Sequence, residues 1–95
     1  MRARVITVDT QVSDHKLKIW GVAVYPASGT SGTVVLYDEV DSSKTATKKV
    51  AALRVPYAAT ETESKELMFP TPLLCSAGLY ADMEGSNATV FIYIE

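Results

Sequence analysis

Hydrophobic and polar positions in this chain alternate with a period of two, in short runs. Near the C-terminus Val90, Ile92 and Ile94 share one parity and Thr89, Phe91 and Tyr93 the other. Successive side chains of an extended chain point to opposite faces, so Ala88 to Glu95 is predicted to be a two-sided strand. A strand this β-prone either lies centrally or is covered by a partner. The longest run, His15 to Tyr25, has Leu17 and Ile19 on one parity and Trp20, Val22 and Val24 on the other. Apolar groups on both parities again indicate a central or covered strand. Gly21 in its middle predicts a bulge or a close backbone approach.

Four further runs read as strands: Arg2 to Val8, Thr33 to Asp38, Lys48 to Val55 (ended by Pro56), and Gly78 to Glu84 with Leu79, Ala81 and Met83 on one parity. Leu73-Leu74-Cys75 is a short apolar piece. Turn chemistry separates these runs. Pro26 to Gly32 reads as a flexible hairpin loop, Asp41 to Lys44 as a polar turn, and Gly85-Ser86-Asn87 as a tight hairpin. Pro70-Thr71-Pro72 is expected to be an extended, non-pairing corner between sheets. Ala58 to Ser64 is assigned as loop: Thr and Ser interrupt it, and no helical period appears.

Seven or eight short strands predict an all-β fold, a single small antiparallel β-sandwich of jelly-roll-like or Ig-like type. One domain spans 1–95, with 1–10 as an N-terminal arm or edge strand. The expected core is Leu17, Ile19, Trp20, Val22, Val24, Val34, Leu36, Leu53, Leu67, Phe69, Leu79, Met83, Val90 and Ile92.

Composition narrows the function. Nine Lys and Arg face eleven Asp and Glu, for a net charge of −2, without the basic excess of a general nucleic-acid binder. The single cysteine, Cys75, cannot form an intramolecular disulfide and is expected to be a buried small hydrophobe. The apolar runs are far shorter than the ~20 residues of a membrane helix. The N-terminus has no apolar signal-peptide core, and Asn87-Ala88-Thr89 is read as a turn entering a strand rather than a glycosylation site.

Candidate chemistry is sparse. His15 sits between Asp14 and Lys16 and is expected to face solvent. One His and one Cys cannot build a Cys/His zinc site in one chain. Asp38, Glu39 and Asp41 are close in sequence but lack calcium-loop spacing, and Asp82 with Glu84 is the one candidate carboxylate pair. Gly29 to Gly32 lacks the Lys-Ser/Thr of a phosphate loop. Neither a cofactor nor catalysis is expected. The aromatic residues are the remaining resource, for a core or for contacts with a neighbour.

The segments WGVAVYPASGTSGTVVLYDE, FPTPLLCSAG and GLYADMEGSNATVFIYIE resemble small virion proteins of tailed bacteriophages: a Trp-containing strand, a Gly/Ser loop, a "VxLYD" strand, a Pro-containing apolar segment, and a last aromatic-alternating strand ending in an acid. The resemblance spans about residues 17–95 and includes no catalytic motif. It implies a head decoration (cement) protein, or a neck or tail accessory. Such a protein is non-enzymatic, often a β-sandwich and often trimeric, made in the bacterial host cytoplasm and bound to the major capsid protein in the virion. The other function considered is a carbohydrate- or receptor-binding module. The contact residues expected are Tyr25, Pro26, Ser28, Tyr37, Phe91 and Tyr93, with the 26–33 loop and the 1–10 arm meeting the lattice.

Overall fold

The computed structural model describes residues 2–59 and 63–95. The middle of the expected 58–64 loop therefore lies outside the described residues. Among the described residues eight strands follow one another: β1 (Arg2–Ile6), β2 (Thr10–Ser13), β3 (Leu17–Pro26), β4 (Thr30–Tyr37), β5 (Lys49–Ala58), β6 (Lys65–Cys75), β7 (Leu79–Asp82) and β8 (Ala88–Ile94), with one 3-10 turn at Ala46–Lys48. They form two four-stranded sheets, ordered β1-β8-β3-β6 and β2-β7-β4-β5. Every pairing is antiparallel. The protein is an all-β sandwich.

The pairings β1–β8, β2–β7, β3–β6 and β4–β5 are nested. The chain doubles back once, between β4 and β5, and the doubled ribbon wraps into two facing sheets. This is jelly-roll order, so of the two topologies expected from sequence the jelly roll is the one formed. Among consecutive strands only β4 and β5 are neighbours in a sheet. The turns read as hairpins at 26–32 and 85–87 instead carry the chain from one sheet to the other. At the second, Glu84 and Gly85 take φ of 51° and 72°, and the Ser86 N–H closes the turn on the Met83 carbonyl at 2.9 Å. A strong turn signal specifies a reversal, not which sheet the next strand joins.

The inner faces meet through Ile19, Val22 and Val24 of β3, Val90 and Ile92 of β8, Val34 and Leu36 of β4, and Leu79 of β7, all fully buried together with Met83 and Cys75. Each large aliphatic side chain contributes roughly 1.5–3 kcal/mol by leaving water. β8 lies between β1 and β3, which answers the demand its sequence makes for two paired edges.

Four expectations are corrected. Trp20 is only half-buried, because the bulge between Ile19 and Gly21 takes it out of the inward register. Leu67 is exposed, on the edge strand β6. Pro56 does not end β5, which runs on to Ala58: β5 is an edge strand, where a missing N–H is tolerated. Pro70-Thr71-Pro72 is not a corner between sheets but an irregularity inside β6, where pairing with β3 jumps from Met68 to Leu73. Gly21 sits opposite that jump. A Cβ there would come within 2.7 Å of the Leu67 carbonyl oxygen and would also collide with the Met68 sulfur.

Candidate interaction face

The two outer sheet faces differ. On the β2-β7-β4-β5 sheet, Val35, Tyr37 and Tyr80 point away from the main core yet are buried as a second apolar cluster. Residues 38–48 return over this side. Lys44, at φ 55°, brings its ammonium to 3.7 Å from the carboxylate of the buried Asp82. Burial, with Asp9 and Asp82 nearby and Lys44 opposing them, raises the Tyr80 hydroxyl pKa. The segment is anchored at both ends. Asp38 donates its backbone N–H to Lys48, and the Gln11 side-chain amide donates to the Glu39 carbonyl at 2.8 Å. The apolar cluster on this face is thereby buried, although Tyr57 on the edge strand β5 is 63% exposed.

The outer face of the β1-β8-β3-β6 sheet is open. The register places Val5 beside Phe91, Phe91 beside Ala23, Tyr93 beside Gly21, and Gly21 beside Met68. Small residues on β3 form the floor, and larger ones on β1, β8 and β6 form the walls. Ala23 is fully buried beneath them, while Val5 is 50% and Met68 43% exposed. Tyr25, 38% exposed, meets Phe91 edge to face with ring centroids 5.4 Å apart. The Tyr93 hydroxyl pKa is raised by burial, then by the nearby Glu66 and Tyr25. At the far end the Trp20 indole N–H donates to Glu95 Oε2 at 3.0 Å, and Leu74 is 57% exposed.

Of the contact residues expected from sequence, Tyr25, Phe91 and Tyr93 are brought together here. Ser28 is exposed, but in the β3–β4 turn, where its hydroxyl donates to the Ala59 carbonyl. Pro26 and Tyr37 are corrected. Pro26 is fully buried, paired with Ala88 on the inner register, and Tyr37 lies in the closed cluster on the opposite sheet. Met68 and Ala23 were missed as contact residues, and Val5 was included only as part of the 1–10 arm. Val5 carried a weak signal, the alternation of β1, whereas Met68 carried none, because the Pro70–Pro72 irregularity scrambles parity along β6.

The other candidate groups do not converge. His15 contacts Asp14 and both are largely exposed. Asp38 is occupied by backbone N–H groups of 76–78, Glu39 by that of Thr45 and Asp41 by that of Ser43. Asp82 accepts the Glu84 backbone N–H, and Glu84 sits in the turn, so the two carboxylates do not flank a cleft. Among the described residues no group of three or more His, Cys, Asp or Glu side chains is placed to hold a metal ion. Among the described residues no helix is long and apolar enough to cross a membrane.

Comparison with known proteins finds no matching family model, no matching curated protein and no matching solved structure.

Proposed function

We propose that this chain is a non-enzymatic structural protein of a tailed-phage virion, a head decoration protein that docks on the major capsid protein through the outer face of the β1-β8-β3-β6 sheet. One observation carries the docking: the Val35, Tyr37 and Tyr80 cluster on one outer face is buried, while the other face leaves Val5, Tyr25 and Met68 exposed around Phe91 and Tyr93. A contiguous exposed apolar patch on a small domain marks an interaction surface. Tyr, Phe and Met are enriched at the centres of such surfaces. The virion assignment rests on the sequence resemblance and on analogy, since jelly rolls recur in capsid and lectin domains alike. The edge-to-face Tyr25–Phe91 pair favours a protein partner over a sugar, because it presents no flat aromatic platform for a ring to stack on. The bound form is expected to be a homotrimer.

Cosedimentation with phage heads assembled without the protein tests the reading. Wild type pellets with the heads, and a Tyr25→Ser/Phe91→Ser variant of unchanged thermal midpoint stays in the supernatant. A wild type that ignores heads and instead binds saturably on a glycan array overturns the decoration reading in favour of a carbohydrate-binding module.

A further inference from the structure

The two sheets do not close evenly along their margins. β1 is an edge strand of one sheet and β2 of the other, and a cleft of ≈ 400 Å³ opens between them. Arg2 and Arg4 pair in register with Ile94 and Ile92, positions that face the interior on β8, yet both arginines are exposed. They line the cleft together with Lys16, over a floor that includes Val12, Leu17 and Ile94. None of these three cations has a carboxylate partner among the described residues, where the ion pairs are His15 with Asp14 and Lys44 with Asp82. Glu95, the acid at the rim, is engaged by the Trp20 indole. A chain of net charge −2 thus gathers three unpaired cations at one open margin.

Inward-pointing charge on an edge strand discourages pairing with a like-charged strand, including a second copy of β1. The same arrangement selects an acidic one. The free edge of β1 offers backbone N–H and C=O groups, its arginines offer bidentate donors to carboxylates, and the floor offers apolar burial. We infer that the cleft is a strand-addition site for an extended acidic segment of a partner protein, with acidic side chains on Arg2, Arg4 and Lys16 and an intervening apolar side chain against Val12 and Leu17. An acidic peptide fits better than nucleic acid: the cations rim a short cleft with an apolar floor, whereas a polyphosphate backbone requires an extended basic track. The inference concerns a different surface from the sheet face and stands independently of it.

The test is an amide chemical-shift titration of the full chain with a capped heptapeptide alternating glutamate and leucine, beside its lysine–leucine counterpart. The expected result is saturable binding of the acidic peptide below about 1 mM, with shifts confined to residues 2–6, 12–17 and 94–95. An Arg2→Glu/Arg4→Glu variant, with Arg2→Gln/Arg4→Gln as the milder alternative should it misfold, binds about tenfold more weakly. Tyr25→Ser/Phe91→Ser binds as wild type, which separates this site from the sheet face. No saturable binding, equal binding of the lysine peptide, indifference to the arginine substitutions, or tighter binding of duplex DNA or phosphatidylglycerol vesicles each overturns the inference.

Discussion

Asp38 and Ala77 are joined across 39 residues: the Asp38 carboxylate, just past the end of β4, accepts the Ala77 backbone N–H at 2.8 Å. The same carboxylate accepts the N–H groups of Ser76 at 3.0 Å and Gly78 at 3.2 Å. One side chain thereby satisfies the donors of the crossover from β6 to β7. Gly78 is required there, since a Cβ would approach the Ser13 carbonyl oxygen to 2.5 Å.

Asp38 therefore links pH to stability. Burial pushes its carboxyl pKa up, but the hydrogen bonds from Ala77, Gly78 and Ser76 together outweigh burial and hold it below its ordinary 3.8. A depressed folded-state pKa stabilises the fold above the unfolded value, and that contribution is lost as pH falls through the folded value. Asp38→Asn should cost about 1–2 kcal/mol at pH 7 in urea unfolding. The gap to wild type should narrow below about pH 4. A gap that is constant from pH 7 to pH 3 would show that the carboxylate charge is irrelevant.

Cys75 should be chemically silent in the folded protein. It is fully buried, and burial, then the Asp38 charge, pushes its thiol up to about 12. The thiolate is the reactive form. A thiol-disulfide reagent at pH 8 should leave native protein unlabelled and modify it only in denaturant. Rapid native labelling would mean that the β6–β7 corner opens readily.

The sandwich interior and the open sheet face should respond differently to truncation. Leu79→Ala and Ile92→Ala remove fully buried side chains and should each cost ~2–5 kcal/mol. Leu74→Ala, at an exposed position, should stay within about 0.5 kcal/mol. Denaturant midpoints at constant slope report both. A Leu74 cost equal to that of Leu79 would mean that a second copy already covers the face in solution.

Gly21→Ala should destabilise by about 1–3 kcal/mol, because the added methyl meets the Leu67 carbonyl oxygen rather than a movable side-chain tip alone. Amide exchange should then quicken in β6 before β8. A stable variant with unchanged exchange would show that β6 can shift outward freely at its irregular segment.

Self-association should not depend on Tyr25 and Phe91, because their face is the one proposed to meet the capsid protein. Wild type is expected to form trimers that multi-angle light scattering resolves at high concentration, and Tyr25→Ser/Phe91→Ser should leave the trimer population unchanged. A wild type that stays monomeric at about 1 mM, where even weak specific association registers, would remove self-association from the proposal.

Alternation determined that the chain is built of strands and that β8 is two-sided, and a glycine in mid-strand pointed to a bulge or a close backbone approach at Gly21. These are local properties: side-chain parity and backbone sterics act within a few residues. They also marked Tyr25, Tyr37, Phe91 and Tyr93 alike as surplus aromatics. The tertiary structure decided what locality cannot reach. Whether the reversals at 26–32 and 85–87 pair strands or cross between sheets depends on partners far along the chain, such as β1 with β8 and β3 with β6. Tyr37 and Tyr93 are alike in sequence, each on the outward parity of a strand. Residues 38–48 return over the sheet that holds Tyr37 and leave the sheet that holds Tyr93 open. Parity says which way a side chain points; only the packed fold says what stands in front of it.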